Sequence, residues 1–221
     1  MNYYQIRRRR SIFDAMSVNT VLILLNVLVF VVVGILWGLN LISLDAIALK
    51  PSNIFQGKYL WTFLTSMFMH GGFGHLFVNM LSLIFLGSFI EKILGQRRYF
   101  FFYLFSGLFA GVFFVLVSKF LFLSDYNVYA VGASGALFAL VGLLILLTPE
   151  QPVYVMFIPI PIKMKYAGPG ILVVLWLISI AGNVPIGNTA HLGGLIAGLV
   201  YGLYLRKKFP SKTKKICQMF S

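Results

Sequence analysis

The chain has 221 residues, 60% of them hydrophobic and only 10% charged, which excludes an ordinary soluble domain and places it among membrane proteins. Its net charge of +13 would suit a nucleic-acid binder, but the basic residues stand in short flanks between apolar runs, the pattern of topology signals. A single cysteine, Cys217, excludes a disulfide framework and a thiol-based metal site.

Residues 1–18 form a basic leader carrying Arg7–Arg10, and a first span is predicted over 19–39. Its apolar run exceeds the ~7–15 residues of a signal-peptide core, so it reads as a retained span. Residues 40–72, which mix Pro51, Asn53 and Gly57 with Trp61, Phe63 and Phe68, read as a loop lying in the membrane interface. The second span is predicted over 73–94, the third over 99–123 and the fourth over 133–148. Pro149, Pro152, Pro159 and Pro161 break any helix between 149 and 162. A fifth span follows at 168–183, a sixth at 189–206, and a basic tail over 207–221. The expected architecture is therefore an all-α membrane protein with one domain of six spans over 19–206.

Orientation follows from the basic residues. With six spans, both termini and the 2–3 and 4–5 loops share one side, and fifteen of the eighteen Lys and Arg residues fall there. Both termini are then cytoplasmic. Ser134 and His191 consequently begin spans four and six from the outer side, at matching depth.

Those two residues carry the chemistry. Gly132-Ala133-Ser134-Gly135 opens span four, and Thr189-Ala190-His191-Leu192-Gly193-Gly194 opens span six. A serine hydroxyl is a weak nucleophile until a neighbouring base takes its proton, and a histidine at the same depth can do so. The glycines permit a sharp backbone entry and close approach of a substrate carbonyl. His75 and Asn79 stand four apart on span two, on one helical face. Alone they would read as interhelical hydrogen-bonding residues. Beside Ser134 and His191 they read as donors for the oxyanion of an acyl-transfer intermediate, together with the Ser134 backbone N–H. His70 reads as a loop-anchoring residue.

Elimination narrows the class. The five acids, Asp14, Asp45, Glu91, Asp125 and Glu150, all fall at span ends or in loops, which excludes an intramembrane aspartic protease. No H-E-x-x-H occurs, which argues against a zinc protease, and no acid stands where it could orient His191. A Ser–His dyad without metal or cofactor is what remains. The soluble-hydrolase elbow is also absent, since Ala136 stands where that motif has glycine.

The segments His70–Met80, Gly132–Gly135 and Ala190–Gly194 stand on spans two, four and six. In that order the chain resembles a rhomboid-family intramembrane serine protease, over roughly residues 19–206. The resemblance implies a six-transmembrane-helix rhomboid-like bundle with Ser134 as nucleophile and His191 as base. It also implies an oxyanion hole of His75, Asn79 and the Ser134 backbone, with Gly132 shaping the approach. Two departures are visible: Trp61-Thr62 stands where many members have Trp-Arg, and Phe138 stands where some have a tyrosine packed on the histidine. The implied partners are the lipid bilayer and single-span membrane proteins, cut near their outer end in the cell membrane of a prokaryote. The competing reading is a catalytically inactive rhomboid-like protein that binds membrane clients.

One packing expectation completes the reading. Gly194, Gly198 and Gly202 form a strip four apart on span six, and Gly135 and Ala139 form one on span four. Small residues let helix backbones approach in lipid, so spans four and six should touch along this seam.

Overall fold

The computed structural model describes residues 16–155, 159–182 and 187–220. Arg7–Arg10, Asp14 and the last predicted residue of span five lie outside the described residues. Among the described residues the regular structure is helical apart from one small hairpin. Four helices among the described residues are long and apolar enough to cross a membrane: α1 (Val18–Gly38), α4 (Phe73–Leu94), α5 (Gln96–Phe120) and α7 (Met164–Gly182). Between α1 and α4 lie two short helices, α2 (Pro51–Phe55) and α3 (Thr62–Thr65). The remaining helices are α6 (Ser134–Leu147), α8 (Asn188–Lys208) and α9 (Pro210–Gln218).

α6 is the hub. Its sequence is apolar all round, which suits a helix enclosed by protein on every side, and Ala136 through Leu144 are all buried. α8 lies against it along its length, α5 packs on both, and α4 and α7 also pack against it. The central core is built from α6 side chains with Leu76, Leu83, Tyr103 and Leu195.

The ends of the outer helices are set by polar contacts. Ser17 caps α1, its Oγ accepting the Thr20 N–H at 3.1 Å. Both carboxylate oxygens of Glu91 accept backbone N–H groups of the same helix, from Val18 at 2.8 Å and Asn19 at 2.9 Å. A carboxylate there satisfies orphan donors and complements the helix dipole. Within α4, Leu83–Gly87 forms a π-turn, and the Leu83 carbonyl also accepts the Asn19 amide at 2.8 Å. Tyr99 donates to the other end of that amide at 2.7 Å.

Several boundaries differ from expectation for identifiable reasons. α5 begins at Gln96 rather than 99 because Gly95, at φ +79°, turns the chain directly out of α4. It ends at Phe120 rather than 123. α7 begins at Met164 and keeps Pro169 inside its second turn, where the missing N–H costs a single hydrogen bond. The proline-rich linker was expected only to break helix. It forms an antiparallel pair, Pro152–Val153 with Ile162–Lys163, in which proline is tolerated because each strand is an edge. Glu150 holds this hairpin through Lys163 at 2.7 Å and Lys165 at 2.5 Å, and these two ammonium groups keep its carboxyl below the usual carboxylate range. α8 runs on to Lys208, with Arg206, Lys207 and Lys208 in its last turn, where cations suit the dipole. In the basic tail, Phe220, just beyond α9, packs its ring edge-on against Phe89 of α4.

Candidate active site

α6 and α8 start at the same end of the bundle, and the seam between them explains why. A Cβ on Gly194 would run into the carbonyl of Gly135, and one on Gly198 into that of Ala139. Gly194 and Gly198 therefore lie on the α6 backbone itself, and Gly202 sits under the Leu146 side chain. Gly142 completes the seam from α6, because a Cβ there would strike the Leu195 carbonyl and reach Leu199 N at 3.0 Å. Sequence reasoning missed Gly142. The signal lay in its place three residues after Ala139, on the same face.

This seam brings Ser134, the first residue of α6, beside His191 in the first turn of α8. Nε2 of His191 stands 2.7 Å from Ser134 Oγ. For Nε2 to accept that proton, the neutral ring carries its own on Nδ1, which has no protein partner among the described residues. Among the described residues no acid orients the ring. Phe138, one turn along α6, stacks on it instead, with centroids 4.6 Å apart and planes 19° from parallel. His191 is buried and Ser134 half-buried, so the hydroxyl is the more accessible member of the pair.

Gly132 sets the approach. Its φ of +118° is accessible essentially to glycine alone, and a Cβ there would sit 2.8 Å from His75 Cε1 and 2.9 Å from Nε2. The imidazole of His75 thus lies over the backbone two residues before Ser134. A Cβ on Gly135 would press on Ala110 of α5 at 2.9 Å, so this glycine seats the start of α6. Asn79 is buried one turn along α4 from His75, and one of its N–H groups donates to the His75 carbonyl at 2.8 Å. That leaves its second N–H as the one with which it could meet an oxyanion. His70 is buried with its ring 5.1 Å from that of His75, edge to face.

The loop before Ser134 is held by the 40–72 segment, which sequence reasoning did not connect to the site. Gly132 donates to the Ser66 carbonyl at 2.8 Å. Leu49 and Ala130 exchange backbone hydrogen bonds at 3.1 and 2.8 Å. Asp45 accepts from Tyr129 Oη and from Asn53 Nδ2, each at 2.7 Å, and Lys50 lies 3.9 Å away. Donation by Tyr129 and Asn53, aided by the Lys50 charge, holds the Asp45 carboxyl below its usual range. Among the described residues no three His, Cys, Asp or Glu side chains gather as a metal site would require.

The fold and site define a class: a multi-pass helical membrane protein with a serine–histidine pair at the starts of two parallel, glycine-packed helices. The chain belongs to the rhomboid family, since the Rhomboid domain matches residues 57–208. It is 36% identical over 166 residues to "RHOMBOID-like protein 6, mitochondrial" of Arabidopsis thaliana, covering 72% of this chain and 48% of that protein. Against "Rhomboid protein 1, mitochondrial" of Saccharomyces cerevisiae the identity is 30% over 161 residues, 69% of this chain and 44% of the other. It is also 30% identical over 170 residues to "Inactive RHOMBOID-like protein 8" of Arabidopsis thaliana, 73% of this chain and 44% of that one. The chain spans about half the length of these curated relatives, and the family holds a protein named inactive, so activity has to be argued from this chain's own residues.

Proposed function

We propose that the chain is an intramembrane serine endopeptidase that cleaves transmembrane segments of membrane-protein substrates with the Ser134–His191 dyad. The observation that carries this reading is the 2.7 Å contact between Ser134 Oγ and His191 Nε2. In the proposed reaction Oγ attacks the scissile carbonyl carbon as Nε2 takes its proton. The oxygen of the tetrahedral intermediate is met by the Ser134 N–H at the start of α6, by His75 and by the second N–H of Asn79. Collapse expels the amine, which receives the proton from His191, and leaves an acyl-serine. A water deprotonated by His191 then releases the acid and restores the hydroxyl. No metal or cofactor enters any step.

Helix length supports a site sunk below the membrane surface. α6 has 14 residues, about 21 Å of axis against the ~30 Å hydrocarbon core. If its Thr148 end reaches one interface, Ser134 lies short of the other. Substrate must unwind there, because a helical peptide bond is internally hydrogen-bonded and shielded. In this reading α1, α4, α5, α6, α7 and α8 are six spans of one domain, with α6 crossing only as part of the bundle. The basic flanks make both termini cytoplasmic and set the dyad toward the outer face of a cell membrane. Single-span proteins are the expected substrates.

The test uses the purified full chain in liposomes with a model single-span substrate. Ser134→Ala and His191→Ala should each abolish cleavage and fluorophosphonate labelling while the melting temperature stays near wild type, and the double variant should lose little more. Cleavage by Ser134→Ala would overturn the dyad mechanism, whereas a wild-type protein that neither labels nor cleaves would leave the inactive client-binding reading in its place.

A further inference from the structure

On its other side α8 faces α5, and there the two helices do not close. Between them opens a groove of about 1240 Å³, larger than the ~300–1,000 Å³ of an ordinary small-molecule site. Phe101, Phe105 and Phe109 of α5 form one wall, and Ile196, Val200 and Tyr204 of α8 the other. Phe102 stacked on Tyr201, with centroids 4.7 Å apart, makes the floor. The walls are apolar yet uncovered, with Phe105 62% and Val200 59% exposed.

The two ends of the groove differ. At the end away from Ser134 it opens at Gln96, Arg97 and Arg98, in the first turn of α5. Among the described residues no ion pair involves either arginine. Glu91, the nearest acid in sequence, is committed to the backbone of α1. Arg98 lies over the ring of Phe209 at 5.6 Å, and Lys208 over the same ring at 5.8 Å, so cations gather at this mouth. Toward the dyad the groove does not continue, because Phe113 packs onto Gly193, where a Cβ would stand 2.8 Å from it. From Arg97 to Phe109 the wall runs ~18 Å along the helix axis. One leaflet of hydrocarbon is ~15 Å deep, half of the ~30 Å core. The groove is thus as deep as one leaflet and too short to seat a helix that spans both.

We propose that this groove is a binding site for an anionic phospholipid of the leaflet opposite the dyad. An acyl chain lies along Phe105 and Val200, and the phosphate sits on Arg97 and Arg98. Basic pockets between transmembrane helices are suited to such headgroups, and each cation contributes through charge while the groove selects for the attached chain. The inference does not depend on the protease reading, and its readout is binding.

Native mass spectrometry of the purified full chain tests it, with phosphatidylglycerol and phosphatidylcholine of identical acyl chains as probes. The wild type should retain phosphatidylglycerol at ~10–30-fold lower concentration than phosphatidylcholine, as two cations at a membrane surface predict. Arg97→Gln with Arg98→Gln should bind the two lipids alike, and Ala197→Phe, which fills the groove, should lose both. Glycerol phosphate in excess should not displace the lipid. Equal retention on the wild type, preference surviving the arginine changes, displacement by glycerol phosphate, or a protein dimer in place of the lipid adduct would each overturn the proposal. Should Ala197→Phe fail to fold, Val200→Trp supplies a reporter. Phosphatidylglycerol brominated on its acyl chains should quench it more than brominated phosphatidylcholine does, and equal quenching would overturn the assignment.

Discussion

α8 and α7 both lie against α6, yet they are held there in different ways. Along α8 the contact is largely backbone on backbone: Gly194 and Gly198 lie on the backbone of Gly135 and Ala139 with no room for a side chain, and Gly202 sits under the Leu146 side chain. Along α7 the contact is made by side chains and mostly by its first half, where Met164, Ala167, Gly168 and Leu172 are buried. Beyond Leu172 the helix turns Val173, Val174, Leu177 and Ile180 outward, each more than half exposed. Lipid tails are as apolar as leucine, so hydrophobic burial distinguishes these two contacts little, and closeness of packing decides. The helix carrying His191 is locked to the helix carrying Ser134, while the neighbour at the same end is not.

The same one-carbon addition on each helix breaks this comparison most directly. Gly198→Ala drives a methyl into the Ala139 carbonyl and to 2.8 Å from Leu143 N, neither of which can rotate away. The helices must part by about an ångström, and a misplacement of that size can cost ~10²-fold in rate. Cleavage and fluorophosphonate labelling should fall together by about that factor, with a lower melting temperature. Gly168→Ala meets the tips of Ile145 and Val141 instead, at 2.6 and 2.8 Å. Those side chains can change rotamer, and alanine favours helix over glycine by ~1 kcal/mol, so activity should stay within a few-fold of wild type. Equal losses in the two variants would mean that the seam is not what holds the dyad.

A smaller effect sharpens the contrast within α7. Leu172→Ala removes a buried side chain. It should destabilise the protein by on the order of 2 kcal/mol, the low end for core truncation because lipid replaces water as the reference. Leu177→Ala, at a 60% exposed position, should change stability by less than about 0.5 kcal/mol. Thermal unfolding of the two variants in one detergent decides it, and equal shifts would place the outer half of α7 inside the bundle.

Much of this arrangement was legible in the sequence, and the legible part has a common physical basis. Helix positions followed from apolar runs bounded by charges, the seam from glycines spaced by one turn, and the meeting of Ser134 and His191 from the parity of the spans. Each of those is a local period or a count. What stayed hidden depended on residues far apart with no period to join them. Asp45, Asn53 and Tyr129 meet across 84 positions, and nothing in the 40–72 segment marks it as the support of the loop before Ser134. Glu91 reads as an acid at a span end, and only the fold makes it a cap for α1. The short hairpin was hidden by its own prolines, which forbid helix without specifying what replaces it. Gly142 stood in plain view, three residues from a seam position, but inside a run apolar on every face.

The Asp45 cluster is a third kind of support, polar where the seam is apolar, and it should give the smallest effect. Its carboxylate accepts from Tyr129, one residue before the Ala130 bridge and three before Gly132, so it steadies the approach to Ser134 from the side. The Asp45 side chain is 38% exposed, and solvent screening limits such a contact to under about 1 kcal/mol. Asp45→Ala should therefore slow cleavage by less than ~5-fold. The pH dependence has a definite sign. Donors from Tyr129 and Asn53 and the Lys50 charge lower the folded-state pKa of Asp45. Its contribution is then complete above the ordinary aspartate value and is lost only as pH falls below that value, through the lowered folded one. The difference in melting temperature between wild type and Asp45→Asn should be constant through neutral and mildly acidic pH and shrink only below the usual carboxylate range. A difference that instead vanishes between pH 5 and 7 would mean that another group braces this loop, and would move the search to the neighbouring histidines.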